Sequence, residues 1–491
     1  MRYNGSHTLM CVGILIMMSL MGIGQQSLAT MKLNPLESIS ENRAIQPDIE
    51  ERLYDLLIIA PLYFHNELQR LVTHKESMGV STLLFSMSEV YTLMEQTGRD
   101  PAEKLKYFIC SAREQWGIHY VLLVGGKMNQ GSQWHVPIRY VQMDNNWESQ
   151  FISDLYFADL YDKNNMFSSW DSDHDGLYGE WYVDQKPEDV QLDLYPDIAV
   201  GRLPCRNARE VHIIVEKIIT YETCTYGEPW FYDMLVFAGD TMPKLPQQSG
   251  LRTSDYDNPQ YEGEYYGERA IDNMSNFRAH RYYTSDGALN LWFVTDAFNK
   301  GAGFVYFVGH GSPQMWGTYL PNGMGYAIGL IVQYIHKLDN DERLPICVLS
   351  GCHCCQFDVS LWKLLNKTTR KHMEGTRECL GWRMTNEKDG GSIATLGNTA
   401  LGYIKEDKDS YKGGGNELEV EFFKQYGQYG IDTLGDTWAG AISWYLDTYP
   451  VDWDTTAVSD SWIDAQIVES WILLGDPSLQ IGGYKQPAIP H

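Results

Sequence analysis

Short apolar segments alternate with longer amphipathic ones from Tyr54 onward. The run YDLLIIAP is followed by FHNELQRLVTHKESMG, in which apolar residues recur at helical spacing, and then by the apolar VSTLLF. A second helical stretch, PAEKLKYFICSAREQWG, precedes the apolar run YVLLVGG, and the series ends with YPDIAVGRLP and the helical NAREVHIIVEKIITYE. This order predicts repeated β–α units, which form a parallel sheet covered by helices on both faces.

A second series of apolar runs follows the turn-forming segment YGEPWF. Its members are DMLVFAGD, GFVYFVGHG, PICVLSGC and GGSIATLGN, each a short run that ends in glycine and a polar residue. These runs predict buried parallel strands. Ligand sites in open α/β sheets lie beyond the carboxyl ends of the strands. The candidate site residues are therefore those at the ends of these runs: Asp240, His310, Cys352 and Asn398.

The predicted fold class is α/β, with mostly parallel sheets and helices on both faces. We expect two domains, an N-terminal one over residues 30–225 and a C-terminal one over residues 226–491. The chain is long enough to bury a sizeable core without disulfides or metal ions, so its cysteines need another explanation.

The first 29 residues have the pattern of a secretory signal. Arg2 precedes the apolar run LMCVGILIMMSLMGIG, and Ser27 and Ala29 occupy the small-residue positions of a cleavage site. We expect cleavage after Ala29 and a secreted or cell-surface protein. Retention of the apolar run as a membrane anchor is the alternative. No later segment is apolar enough to span a bilayer, so no further stable membrane partner is expected.

The chain is strongly acidic. It contains 38 Lys and Arg residues against 64 Asp and Glu residues, a formal net charge of -26. This balance argues against a nucleic-acid backbone or an anionic membrane as the main partner.

Four cysteines and a histidine occur in the fourteen residues PICVLSGCHCCQFD. A cysteine nucleophile needs a nearby base, and a third group often orients that base. Cys352, His310 and Asp240 fit these three roles, because neighbouring strands can bring their ends within hydrogen-bond reach. Gly311 lies beside the proposed base, and backbone N–H groups at Gly311 and Cys352 could form an oxyanion hole.

Three other interpretations of the cysteine cluster remain open. Cys352 and Cys355 have the C-x-x-C spacing of a disulfide oxidoreductase. A zinc site would need the adjacent residues 352–355, which cannot easily form a tetrahedron, and no second ligand pair accompanies them. Cysteines of the cluster that are not catalytic could form a disulfide with Cys379 or Cys347.

Several motifs together resemble the gingipain-type cysteine peptidases, of the clan that also contains caspases and legumains. FVYFVGHGSPQMWG resembles the histidine block of that family, and VLSGCHCCQFD resembles its cysteine block. In the cysteine block the nucleophile stands five residues before a phenylalanine, which selects Cys352 by its spacing to Phe357. YVLLVGG, WDSDHDGLYGE, YPDIAVGRLP and LLGDPSLQI are each similar to further blocks of the family.

This resemblance implies a fold of two Rossmann-like, caspase-like subdomains and a secreted cysteine endopeptidase that needs no organic cofactor. Cys352 would attack the peptide carbonyl, His310 would protonate the leaving amine, and Asp240 would orient the histidine. The partners would be protein or peptide substrates. A catalytically inactive member of the same fold, which binds peptide or metal, is the alternative.

The same resemblance implies a preference for Arg or Lys before the scissile bond, read by a carboxylate upstream of the histidine strand. In YEGEYYGERAID the candidate is Glu264; that these glutamates form a solvated surface run is the alternative. Trp316 is a candidate for the substrate pocket, with packing in the core as its alternative.

The segment DSDHDGLYGE resembles a calcium loop. Carboxylates alternate, Gly176 permits a sharp turn, and three carboxylates this close repel one another without a cation. We expect a structural Ca²⁺ ion, with an empty turn as the alternative. The candidate ligands are Asp171, Asp173, Asp175 and Glu180.

Overall fold

The computed structural model describes residues 53–145, 147–182, 185–243, 261–404, 413–455 and 460–485. The signal prediction for residues 1–29 lies outside these ranges. Within them, each helix is too short or too polar to cross a membrane.

The N-terminal half contains the predicted parallel sheet. Its strands, together with a short pair, are β1 (Leu56–Ala60), β2 (Thr82–Ser86), β3 (Tyr120–Val124), β4 (Tyr140–Val141), β5 (Phe151–Ile152) and β6 (Ala199–Leu203). Four of them form a sheet in the order β2-β1-β3-β6, and every neighbouring pair is parallel. β4 and β5 pair separately and antiparallel.

The α-helices of this half are His65–Ser77, Met87–Leu93, Pro101–Trp116, Leu155–Ala158 and Ala208–Cys224. Helix Pro101–Trp116 shows how the sequence sets the bounds. The Asp100 side chain accepts a hydrogen bond from the N–H of Glu103, and proline occupies the first helical position. Gly117 ends the helix in the left-handed conformation, with φ of 70°.

The C-terminal half contains a larger sheet and a hairpin. The strands are β7 (Asp233–Ala238), β8 (Arg278–Tyr283), β9 (Phe304–Val308), β10 (His310–Ser312), β11 (Met315–Tyr319), β12 (Tyr326–Ile331), β13 (Ile346–Ser350), β14 (Ala394–Asn398) and β15 (Trp471–Leu474). Six of them form a sheet in the order β15-β14-β13-β9-β7-β8, parallel except for the β14–β15 pair. β10, β11 and β12 form a separate antiparallel sheet.

The α-helices of the C-terminal half are Glu262–Asn273, Leu291–Phe298, Lys367–Lys371, Leu380–Thr385, Gly415–Gly427, Leu434–Thr448 and Asp460–Ser470. The 3₁₀ helices of the described residues are Leu62–Phe64, Pro229–Tyr232, Pro321–Gly323, Val332–Lys337 and Leu361–Leu365. β9 and β13 are buried along their whole length, as expected of central strands covered on both faces.

The predicted α/β class with mostly parallel sheets is confirmed. In sequence, the strands of the smaller sheet precede the boundary predicted at residues 225 and 226, and those of the larger sheet follow it. The division of the chain into two domains stays a prediction.

Candidate active site

Four neighbouring strands bring the predicted site residues to one edge of the larger sheet. β14, β13, β9 and β7 are adjacent in that order and mutually parallel. Asn398 ends β14, Cys352 follows β13, His310 follows β9 and Asp240 follows β7. Because the carboxyl ends of parallel strands meet at the same edge, this register explains how residues far apart in sequence come together.

The backbones that carry Cys352 and His310 are in direct contact. A β-carbon added at Gly351 would lie 2.9 Å from the nitrogen of Gly311 and 3.1 Å from the carbonyl carbon of His310. One added at Gly311 would lie 2.8 Å from the carbonyl oxygen of Cys352. The contacts at 2.9 Å and 2.8 Å are too short for a β-carbon, so glycine at these positions is what lets the two segments meet.

Cys352 is partly exposed and is a free thiol. Its sulfur accepts a hydrogen bond from the N–H of Gly402 at 3.3 Å. Burial raises the pKa of the Cys352 thiol, and the nearby carboxylate of Glu148 raises it further. The neutral thiol is therefore favoured in this arrangement, and the Gly402 N–H is the contact that favours the thiolate.

The ring of His310 is held by main chain. Its Nε2 atom lies 2.7 Å from the carbonyl oxygen of Thr241. Its ring also meets the ring of Tyr319 edge-on, with 5.4 Å between centroids. Since a carbonyl can only accept, Nε2 carries a proton in this contact.

Asp240 makes a different contact from the one expected for it. Its Oδ2 atom accepts a hydrogen bond from the N–H of Asn322 at 2.8 Å, and burial raises its pKa. The orienting hydrogen bond from Nε2 of His310 is accepted instead by the carbonyl oxygen of the next residue, Thr241. The side chain of Asp240 anchors the turn after β11, which lies beside the histidine.

Glu264 is buried on helix Glu262–Asn273. Its carboxylate accepts hydrogen bonds from the N–H of Ser285 at 3.0 Å and from the Ser285 hydroxyl at 2.8 Å. Burial raises its pKa. The solvated surface run considered for this segment is therefore wrong for Glu264, while its role in substrate binding stays a prediction.

Trp316 belongs to the core, which corrects its proposed place in the substrate pocket. The side chain is fully buried, and its Nε1–H donates to the carbonyl oxygen of Ser350 at 2.9 Å. Its ring packs against Phe307 with 4.8 Å between centroids. An indole enclosed in this way packs against the strands and has no exposed face that a ligand could contact.

The other cysteines of the cluster are buried. The eight cysteines of the described residues are all free thiols. The sulfur of Cys354 lies against Gly311, and that of Cys355 lies against Gly381 and Gly397. Burial raises the pKa of both thiols well above its usual range. Enclosed thiols of this kind are inert, which argues against Cys352 and Cys355 as an accessible redox pair.

Sequence reasoning missed Glu148, a carboxylate beside Cys352. Its Oε1 atom accepts a hydrogen bond from the N–H of Leu401 at 2.8 Å, and burial raises its pKa to about 7. Glu148 is about 200 residues upstream of the cysteine and lies in a polar stretch without a recognisable motif. Single-sequence patterns carry no signal for such a contact.

The predicted calcium loop forms an acidic cluster. Ligand atoms of Asp171, Asp173 and Asp175 lie within 4.8 Å of one another. Asp171 is the buried member, and Nη1 of Arg99 donates to its Oδ2 at 2.5 Å. Part of the charge of this loop is therefore already balanced by a guanidinium.

A second acidic group shares Asp173 with that loop. It joins Asp173 to Glu180 and Glu188, again with ligand atoms within 4.8 Å. Glu180 is buried; its Oε1 accepts from the Tyr182 hydroxyl at 2.6 Å, while its Oε2 has no hydrogen-bond partner among the described residues. Glu188 was not among the predicted ligands, because it lies outside the spacing of a calcium loop.

Comparison with proteins of known sequence identifies relatives. Gingipain R2 of Porphyromonas gingivalis is 20% identical over 293 residues, which are 60% of this chain and 34% of the relative. Lys-gingipain W83 of the same organism is 20% identical over 218 residues, 44% of this chain and 10% of the relative. The chain thus spans about a third or less of the length of these curated relatives.

Comparison with solved structures supports the fold. The Arg-specific cysteine proteinase gingipain R matches with a TM-score of 0.58 and 16% identity, over 89% of this chain and 80% of that one. The complex of the pro- and mature domains of RgpB from Porphyromonas gingivalis matches with a TM-score of 0.56 and 16% identity, over 87% of this chain and 79% of that one.

The sequence pattern of peptidase family C25 extends over residues 49–482, nearly the whole described chain. The chain therefore belongs to peptidase family C25.

Proposed function

We propose that this protein is a cysteine endopeptidase in which Cys352 is the nucleophile and His310 is the general acid and base. The observation that carries the proposal is the backbone contact between Gly311 and Gly351 at the ends of the adjacent strands β9 and β13. Membership of a peptidase family and the partly exposed, unbridged sulfur of Cys352 support it.

In this reaction the sulfur of Cys352 bonds to the carbonyl carbon of the scissile peptide, and the thiol proton passes to His310. The oxygen that becomes negative would be held by N–H groups of Gly311 and Cys352. Collapse of the tetrahedral intermediate breaks the C–N bond, and His310 gives its proton to the leaving amine. Water then attacks the thioester, which releases the carboxylic acid and restores the thiol.

The test compares the wild-type protein with Cys352→Ala and His310→Ala on a panel of peptide substrates. Both variants should lose at least about 10³-fold in kcat. Cys224→Ala is the matched control, because it removes an exposed free cysteine on the N-terminal half and should cleave at the wild-type rate. Equal cleavage by the wild-type and Cys352→Ala proteins would remove Cys352 from the mechanism.

A non-catalytic peptide- or metal-binding protein of the same fold is the alternative function. It predicts that the wild-type protein itself cleaves no peptide of the panel. It also predicts that a thiol-reactive peptide inhibitor leaves Cys352 unlabelled although the protein is folded.

A preference for Arg or Lys before the scissile bond is part of the proposal, with Glu264 as the carboxylate that reads the basic side chain. The relatives include a Lys-gingipain and an Arg-specific cysteine proteinase, which motivates this preference. Glu264→Gln should lower kcat/KM for basic substrates by about tenfold more than for neutral ones. Glu268→Gln, on the same helix but paired with Arg281, is the control. An equal loss on all substrates would assign Glu264 a structural role.

We further propose that the acidic cluster holds a structural Ca²⁺ ion. The donors are carboxylate oxygens, which Ca²⁺ prefers, and the buried Oε2 of Glu180 lacks a protein partner among the described residues. Residues that would hold the ion are Asp173, shared by both acidic groups, with Asp171, Asp175, Glu180 and Glu188 around it.

Thermal unfolding with and without a chelator tests the ion. Removal of Ca²⁺ should lower the Tm of the wild-type protein, because an ion that binds only the folded state stabilises it. Asp173→Asn should abolish the calcium dependence, whereas the exposed Asp296→Asn should keep it. An unchanged Tm, with no metal found by elemental analysis, would refute the site.

We also propose that the protein is secreted, from the signal-like pattern of residues 1–29.

A further inference from the structure

The side chain of Glu148 joins two segments that meet at Cys352. Its Oε1 atom accepts the N–H of Leu401 at 2.8 Å, and its Oε2 atom lies 3.5 Å from Nε2 of His353. The carboxyl group therefore lies between the segment that follows β14 and the residue immediately after the cysteine. Only 10% of the Glu148 side chain is exposed.

These two segments also contact each other directly around the sulfur. The N–H of His353 donates to the carbonyl oxygen of Ala400 at 2.8 Å. The N–H of Gly402 donates to the sulfur of Cys352 at 3.3 Å. Because Leu401 lies between Ala400 and Gly402, the bond from Glu148 fixes the middle of the segment that delivers the N–H group to the sulfur.

The hydrogen bond from Nδ1 of His353 fixes the tautomer of that ring and leaves its Nε2 atom without a hydrogen-bond partner among the described residues. Nδ1 of His353 lies 3.2 Å from the carbonyl oxygen of Thr399, which can only accept, so Nδ1 carries the proton. Burial lowers the pKa of His353 to about 4, so the ring is neutral and Nε2 presents a lone pair to Glu148. A protonated carboxyl group can donate to that lone pair, whereas a carboxylate repels it.

We propose that Glu148 is a positioning residue for Cys352, which in its protonated form ties Leu401 to His353 and so holds the Gly402 N–H on the sulfur. This role rests on the proposed function only in that Cys352 is the nucleophile. Ionisation of Glu148 would weaken the link to His353 and place a negative charge beside the sulfur. Both effects oppose formation of the thiolate.

Burial favours the protonated form of Glu148. It is the main reason that the pKa of Glu148 is raised to about 7; the hydrogen bonds from Leu401 and Asn145 lower this pKa, whereas the negative charges of Glu374 and Asp358 raise it. Those two carboxylates share Lys363 as their ion-pair partner. The remaining groups that face Glu148 are Cys352, His353, Tyr403, Asn145 and Gln466. The link should therefore hold below pH 7 and weaken as the pH rises through that value.

The test measures the pH dependence of Cys352 alkylation by iodoacetamide, with the modified peptide quantified by mass spectrometry. Glu148→Gln keeps an acceptor for Leu401, supplies a donor for His353 and carries no charge. Its alkylation midpoint should lie about one pH unit below that of the wild-type protein, which is about a tenfold gain in thiolate below the midpoint. Glu148→Ala also lacks the charge but loses both contacts, so its midpoint should lie above that of the Gln variant.

Glu421→Gln is the control, since this buried glutamate bonds to Gln425 and Lys424 on its own helix and should leave the midpoint unchanged. Thermal unfolding checks that each variant is folded. Equal midpoints for the wild-type and Gln variants would overturn the proposal, as would equal midpoints for the Gln and Ala variants. Because alkylation reads the thiol without a substrate, a protein that cleaves no peptide but shows these shifts would refute the proposed function and leave the positioning role intact.

Discussion

Nε2 of His310 lies 2.7 Å from the main-chain oxygen of Thr241. The N–H of the ring must donate in this contact, so in the neutral imidazole the lone pair is on Nδ1. The nitrogen available to take the thiol proton is therefore Nδ1. A main-chain carbonyl therefore sets the tautomer of His310. This carbonyl belongs to Thr241, the residue after Asp240, whose carboxylate the sequence had indicated for this role.

This relationship predicts that the Thr241 side chain is dispensable for orientation of the histidine. The Thr241 hydroxyl is buried and has no hydrogen-bond partner among the described residues. Thr241→Val replaces it with a methyl group of similar size and removes an unsatisfied polar group. We expect peptidase activity to be unchanged and the free energy of unfolding to rise by about 1 kcal/mol, measured by urea denaturation.

Asp240→Asn provides the comparison. The amide oxygen can still accept from the N–H of Asn322, so the turn should be retained and kcat should fall by less than about tenfold. A loss of several orders of magnitude in Asp240→Asn, at unchanged stability, would show that the carboxylate rather than the Thr241 carbonyl supports the histidine.

Gly311→Ala should damage both activity and stability. The new β-carbon would lie only 2.3 Å from the sulfur of Cys354 and 2.8 Å from the carbonyl oxygen of Cys352. The two active-site segments would have to separate, at a cost of about 1–3 kcal/mol. Addition of Cys354→Ala removes the nearer contact and should restore part of the stability.

The matched control for this variant is Gly415→Ala. That position begins a helix, and no atom lies closer than 3.5 Å to its added β-carbon. Its stability should equal or exceed that of the wild-type protein. An active Gly311→Ala protein of normal stability would mean that the contact between the two segments is not required.

The buried strands could be predicted from sequence because their apolar runs are continuous and end in glycine. β9 and β13 are of this kind, and their order in the sheet places His310 beside Cys352. β8 was missed because its segment RAHRYY is polar and lies at the sheet edge, where one face is solvated.

Contacts made by main chain were also beyond prediction. The Thr241 carbonyl and the Gly402 N–H could belong to any residue type, so no side-chain pattern marks them. The sequence left Trp316 with two interpretations, the substrate pocket or packing in the core. The hairpin of β10 and β11 turns its ring into the core, where a large apolar side chain gains most from burial.

Trp316→Phe should therefore destabilise the protein without altering substrate preference. The substitution leaves a cavity beside Phe307 and removes the donor to the Ser350 carbonyl. We expect a loss of about 2–4 kcal/mol in the free energy of unfolding. The ratio of kcat/KM for Arg and neutral substrates should stay constant. Trp292→Phe, at a position that is 73% exposed, should change neither quantity.

A buried carboxyl beneath the site gives a pH-dependent prediction. Glu419 is buried beside β9, and its Oε2 accepts from the Tyr306 hydroxyl at 2.6 Å and from Nδ2 of Asn416 at 2.9 Å. Burial raises its pKa to about 7, against about 4.5 in the unfolded chain. The folded state therefore binds its proton more tightly, and stability falls as the pH rises from about 4.5 through 7.

Glu419→Gln removes this titration and keeps an acceptor for both donors. At pH 5 its free energy of unfolding should be close to that of the wild-type protein, and at pH 8 it should be higher by about 3 kcal/mol. Glu268→Gln should behave in the opposite way, because Arg281 holds the pKa of Glu268 below its usual range and the charged form is the stabilising one. Urea denaturation of the wild-type protein and the two variants at pH 5 and pH 8 measures how the stability difference of each variant from wild type changes with pH. If Glu419→Gln showed the same difference from wild type at the two pH values, the Glu419 carboxyl would not be protonated in the folded protein at neutral pH.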